Sequence, residues 1–123
     1  MHPYEHFLGL GKFRRPWRHQ LTSLLLHFTL MPLLPVYGYY VGLWPYLSTL
    51  KGAFLVAGVW ELFQVLRDTT SHPNLLDRSR DILHSLLGAS VLCGQWPDSL
   101  LFATLTGALW TTGLLLSRTH PTD

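Results

Sequence analysis

The chain alternates between long uncharged runs and short polar clusters. No Asp, Glu, Lys or Arg occurs over the 32 positions 19–50, and residues 82–97 and 99–117 form further uncharged runs of 16 and 19. A helix that crosses a bilayer needs about 20 mainly apolar residues, with a range of roughly 17–25. Four such segments are predicted at about 21–47, 50–67, 79–96 and 99–117. The first contains Pro32 and Pro35, each of which removes a backbone donor, so it crosses as one kinked span or breaks into a re-entrant pair. Pro97-Asp98-Ser99 makes a tight connection between the last two, with Ser99 placed to cap the fourth. Backbone groups in lipid must bond within their own segment. The predicted fold is therefore all-α: a polytopic membrane protein, a bundle of about four transmembrane helices.

Charge gives this bundle an orientation. With four crossings, the tail before residue 20, the loop 67–80 and the C-terminus share one side. That side collects Lys12, Arg14, Arg15, Arg18, Arg67, Arg78, Arg80 and Arg118, against Lys51 alone opposite. Short loops rich in Lys and Arg stay cytoplasmic, so both termini are predicted to be cytoplasmic. Residues 1–20 then form a basic cytoplasmic segment, 21–117 the helical domain and 118–123 a short tail. Trp44, Tyr46 and Trp96 fall at the predicted outer boundary and Trp17 at the inner one, where amphipathic rings prefer to sit.

Composition agrees and excludes other classes. Of 123 residues 48% are hydrophobic and 13% charged, against about 25% charged in soluble domains. That hydrophobic content excludes a disordered chain, and a single Cys excludes a disulfide-stapled scaffold. Topology already accounts for eight cations, so no nucleic acid partner is expected. The N-terminus lacks the small-residue cleavage site of a signal peptide, and its apolar run is too long for one.

Most of the available chemistry lies between residues 61 and 88. Glu61 sits inside the second span, six positions before Arg67, which is roughly 9 Å along a helix. Gln64 shares its face, and Ala53 and Ala57 extend that face with small residues. Asp77 and Asp81 open the next span, with His84, Ser85 and Gly88 continuing the Asp81 face. If these two spans are antiparallel neighbours, Glu61, Gln64, Arg67, Asp77, Asp81 and His84 converge near the cytoplasmic boundary. Three carboxylates brought together need a cation, a proton or an Arg. Glu61, Asp77, Asp81 and His84 are the candidate ligands of a divalent cation. Oxygen donors favour Mg²⁺ or Ca²⁺, while His84 and His72 shift the balance to a transition metal.

Each residue also has a plain structural role open to it. Asp77 and Asp81 suit the first turn of a helix, and Asn74 is placed to cap it. Glu61 with Arg67, Arg78 or Arg80 makes an ion pair that fixes topology. His27 is a weaker ligand candidate than His84. Cys93 reads as packing, and Gly107, Ala108, Thr111 and Thr112 read as a close-packing seam on the fourth span.

The order Glu-x-x-Gln, basic loop, Asp-x-x-x-Asp-x-x-x-polar-x-x-Gly resembles VanZ-like membrane proteins. Here the matching residues are Glu61, Gln64, Arg67, Asp77, Asp81, Ser85 and Gly88. The family usually shows Asn where this chain has Ser85, which exchanges an amide for one hydroxyl. The resemblance covers about a quarter of the chain. It implies a bacterial inner-membrane, multi-pass protein of the cell envelope, and it supplies no biochemical mechanism.

Two functional classes follow. In one, the carboxylate-lined polar site binds a cation or an envelope-lipid headgroup. In the other, the chain is an accessory or assembly subunit packed against a larger membrane protein complex; outside both stands a holin-like phage membrane protein, and a membrane protein partner and a homo-oligomer are the two associations open to the chain. No nucleophile-plus-base spacing specifies an enzyme, and beyond the lipid bilayer no partner is identified.

Overall fold

The computed structural model describes residues 7–67 and 74–119, and every regular element among them is helical. A short helix α1 (Leu10–Phe13) precedes α2 (Trp17–Thr29), α3 (Leu33–Tyr40), α4 (Tyr46–Arg67), α5 (Leu75–Leu92) and α6 (Trp96–Thr119). Three helical stretches are long and apolar enough to cross a membrane: Trp17–Tyr40, Tyr46–Arg67 and Trp96–Arg118. α5 falls short of that standard because Asp77, Arg78, Arg80 and Asp81 occupy its first two turns.

The boundaries differ from the expected ones for identifiable reasons. α2 begins at Trp17, directly after Pro16, whose fixed φ suits a helix entrance. The missing N–H groups of Pro32 and Pro35 separate α2 from α3, yet the two halves continue in one direction along α5. Gln20 meets Arg80, the backbone of Phe28 meets Gly88, and the Tyr40 hydroxyl donates to the Leu92 carbonyl. The segment is one kinked helix and not a re-entrant pair. α3 ends at Tyr40, short of the expected residue 47, and α5 ends at Leu92. Both close in the same way: Gly42 and Gly94 take positive φ, and the next N–H reaches back to Gly38 and Ser90 respectively. That left-handed step costs a glycine nothing and ends a helix. Trp44 then folds back over Gly38 and donates its indole N–H to the Pro35 carbonyl at 2.9 Å.

α5 sits in the middle, in contact with α2, α4 and α6. It is antiparallel to α4 and α6, because Arg78 reaches Glu61, Ser85 reaches Ala53 and Ser90 reaches Ser99. One end of the bundle therefore gathers the start of α2, the end of α4, the start of α5 and the end of α6. α1 is not a free tail. Leu10 and Phe13 are buried at that same end, Phe13 against Trp110 and Gly113.

Burial is inverted relative to a water-soluble domain. Among the described residues, 28 large hydrophobic side chains are exposed. The buried set is mostly small or polar, including Thr49, Ala53, Ala57, Ser85, Ser90, Ser99, Thr106 and Ser117. Monomers in water rarely show a continuous apolar surface beyond a few hundred Å². Small residues inside and large apolar ones outside are what helices packed in lipid require.

Candidate functional site

Three helices bring one buried side chain each to a common point. α2 supplies His27, α4 Glu61 and α5 Asp81, and one ligand atom of each lies within 4.8 Å of the others. The His27 side chain retains 10% of its exposure, Glu61 6% and Asp81 9%. His27 Nε2 is 3.6 Å from Glu61 Oε1 and 3.7 Å from Asp81 Oδ2. Both separations are too long for hydrogen bonds. Indeed His27 Nε2, Glu61 Oε1 and Asp81 Oδ1 have no hydrogen-bond partner.

The rest of each side chain is held. His27 Nδ1 lies 2.8 Å from the Ser23 carbonyl, so it carries the proton and turns the Nε2 lone pair towards the carboxylates. Arg78 Nη1 donates to Glu61 Oε2 at 2.7 Å and to the Glu61 carbonyl at 3.3 Å. Gln64, in the amide orientation that satisfies both its ends, donates to Glu61 Oε2 at 3.0 Å and accepts from Trp60 Nε1 at 3.2 Å. One oxygen of Glu61 is thus engaged and the other left facing the centre. Asp77 is neutralised by Arg80, whose Nη2 donates to its Oδ1 at 2.7 Å. Asp81, unlike Glu61 and Asp77, has no Arg partner among the described residues.

Arg80 itself is buried in a frame of its own. Its Cζ lies 4.3 Å from the centroids of both Phe13 and Trp110, and Nη1 donates to Gln20 Oε1 at 3.0 Å. Gln20 in turn donates to the Phe13 and Arg15 carbonyls. Below it, Trp110 Nε1 donates to His84 Nε2 at 3.0 Å.

The expected site is therefore partly assembled and partly replaced. Glu61, Gln64 and Asp81 come together; Asp77 stands beside them, paired. His84 does not join, since it faces Trp110 on the other side of α5, and His27 takes its place. Arg67 is exposed at the end of α4, and Arg78 makes the ion pair expected of it. Ser85 donates to the Ala53 carbonyl at 3.1 Å and serves α4–α5 packing. Gly88 is the close-approach point expected: a Cβ there would lie 1.9 Å from the Phe28 carbonyl oxygen. Gly107 and Thr111 take no part in packing within the chain, being exposed, with nothing within 4 Å of a Cβ built on Gly107. The packed face of α6 is Ser99, Thr106, Gly113 and Ser117 instead. Neither Asn74 nor Ser99 caps. Asn74 makes no side-chain cap bond, and Ser99 lies inside α6 and donates to Ser90 Oγ and the Gln95 carbonyl. His72 lies outside the described residues.

A polar cavity of about 160 Å³ opens next to His27 and Asp81. Charges of both signs line it: buried Arg80 and Asp81, half-buried Asp77 and Lys12, and exposed Arg15 at its mouth. Burial, then the adjacent Arg15 charge, lowers the Lys12 pKa from its ordinary value. Comparison with protein-family models, curated proteins and solved structures finds no match.

Proposed function

We propose that the chain is a bacterial inner-membrane protein of four crossings, with both termini in the cytoplasm, that binds one divalent transition-metal ion between α2, α4 and α5. The observation that carries this is the meeting of three buried side chains whose ligand atoms lie within 4.8 Å of one another, with His27 Nε2 and Glu61 Oε1 lacking any hydrogen-bond partner among the described residues. Donors about 2.1 Å from a tetrahedral ion stand roughly 3.4 Å from one another. The 3.6 and 3.7 Å separations from His27 Nε2 are close to that edge length. One imidazole with two carboxylates suits Zn²⁺ or Mn²⁺ better than Mg²⁺ or Ca²⁺, which prefer oxygen donors alone. Three protein ligands leave a fourth position towards the polar cavity. The Ser23 carbonyl that holds the His27 tautomer is the outer partner a metal-bound imidazole needs.

α5 completes the four crossings despite its charges, because its neighbours supply their partners. Arg78 and Arg80 are paired with Glu61 and Asp77, and the basic helix ends lie at one end of the bundle, which supports a cytoplasmic assignment for that end. The bacterial envelope setting rests on the VanZ-like pattern, of which Glu61, Gln64 and Asp81 meet at this site. Calorimetric titration of the purified protein in detergent with Zn²⁺ or Mn²⁺ tests the reading. One site per chain is expected, weakened at least about tenfold in Asp81→Asn and His27→Ala. Equal affinity in wild type and both variants would reduce the cluster to an internal ion pair.

A further inference from the structure

α2 and α4 pack on α5 from different sides and hardly touch each other directly. Between them the polar cavity does not stop at the site. It shares His19, Ser23, His27 and Gln64 with a second groove of about 720 Å³ that continues past Leu26 and Leu30 to Met31 and Trp60. Met31 and Trp60 in turn border a third, wholly apolar groove of about 550 Å³ along Leu55, Val56, Val59 and Phe63. The three form one path, polar and lined by both charges at the start, with Lys12 and Arg15 among them, and apolar at the end. Along α2 the path from His19 to the helix end at Thr29 covers 10 residues, roughly 15 Å. That is close to half the hydrocarbon thickness of about 30 Å, the depth of one leaflet.

The charges along it are ordered as well. Asp77 in the cavity lining is taken up by Arg80. Asp81 faces His27, whose Nδ1 is held by Ser23. Lys12 and Arg15 at the mouth, and Arg18 where the second groove begins, have no ion-pair partner among the described residues. Burial and the neighbouring Arg15 hold the Lys12 pKa below its ordinary value, while Asp77 and Asp81 pull it part of the way back.

We infer that this path is a lateral binding site for one anionic phospholipid of the inner leaflet, its phosphate on Lys12 and Arg15 and its acyl chain in the groove between α2 and α4. The occupant has to carry both parts. A free phosphate leaves the apolar grooves unfilled, and an uncharged lipid leaves the cations unmatched. The inference rests on the membrane-spanning reading above, but not on the cation, since the phosphate ligands are not the metal ligands.

Trp60 lines both apolar grooves and gives a local reporter. The protein in phosphatidylcholine nanodiscs is titrated with phosphatidate or phosphatidylcholine carrying brominated chains, and Trp60 quenching is taken as the difference between wild type and Trp60→Phe. Saturable quenching by phosphatidate at low mole fraction is expected, with about fivefold weaker binding for each cation removed and roughly 25-fold for Lys12→Gln with Arg15→Gln. Equal quenching by the two lipids, or an unchanged preference in the double variant, overturns the proposal. Displacement of phosphatidate by millimolar inorganic phosphate also overturns it, by assigning the site to the free anion. Repeating the titration in EDTA separates the two readings: a preference that persists there stands without any metal, while loss of the preference with intact Zn²⁺ binding ends this proposal and spares the cation site.

Discussion

α5 and α6 are neighbours that bury small and polar residues but differ in how much of their surface other helices cover. The buried residues of α5 are Arg80, Asp81, His84, Ser85, Gly88, Ala89 and Ser90, and those of α6 include Ser99, which meets Ser90 of α5, and Gly113, which meets Phe13 of α1. Outside that contact α6 is covered with exposed Leu100, Leu101, Leu105 and Leu115, whereas α5 is met on further sides by α2 and α4. α6 is long and apolar enough to cross a membrane by itself, and α5 is not. The difference separates two jobs. α6 solvates the bundle in lipid and tolerates change over most of its surface. α5 holds the polar groups, and its charged groups are acceptable because specific partners neutralise or cover them: Asp77 on α5 itself for Arg80, Glu61 on α4 for Arg78, and Phe13 and Trp110 over Arg80.

The sharpest way to break this contrast is to remove one of those charged groups. Arg80 is enclosed by Phe13 and Trp110 and bonds Gln20 and Asp77. Arg80→Met keeps the volume but leaves Asp77 without its counter-charge, and breaking a buried pair on one side costs about 3–5 kcal/mol. Arg118→Met, on the exposed end of α6, is expected to change stability by no more than about 0.5 kcal/mol. Thermal unfolding of both variants in one detergent checks this, and similar losses at the two positions would refute the division between the helices.

A second comparison uses two glycines. At Gly88 an added methyl meets the Phe28 carbonyl, and at Gly107 it meets open space. Gly88→Ala must therefore push α2 away from α5, with an expected cost of about 1–3 kcal/mol, and it also spreads the His27–Asp81 pair. Gly107→Ala should be neutral or slightly stabilising through helix propensity. Metal titration of Gly88→Ala adds a readout: weakened binding in a folded variant ties the packing of α2 to the site.

Much of this was legible in the chain, and the gaps have physical causes. The uncharged runs and prolines marked the helices and the kink. Glu61, Asp81 and Gly88 could be placed on facing sides because α4 and α5 are joined by a short loop and must be antiparallel neighbours. His27 was underrated because nothing local states which face of α2 meets α5. A signal was present nonetheless: Gln20, Ser23 and His27 recur at i, i+3 and i+7, a polar stripe inside a 32-residue uncharged run. His84 was overrated because it follows Asp81 by three; it also follows Arg80 by four, and that pairing wins by turning it to Trp110. On α6, small residues surround the helix, so composition could not select a face. The seven-residue spacing of Ser99, Thr106 and Gly113 does.

The smallest effect concerns the one place where α6 reaches into the polar network of α5. Trp110 Nε1 donates to His84 Nε2, which makes that nitrogen the acceptor and leaves the proton on Nδ1, itself buried without a partner. Trp110→Phe keeps an aromatic face for Arg80 and removes only the donor, so His84 is left with neither nitrogen bonded. A loss of about 1–2 kcal/mol is expected. If the loss comes from the orphaned imidazole and not from a smaller ring, adding His84→Leu should recover part of it, because two apolar partners carry no unmet hydrogen bond. A double variant less stable than Trp110→Phe alone would show that the ring volume matters more than the bond, and α6 would then be a packing wall even at this position.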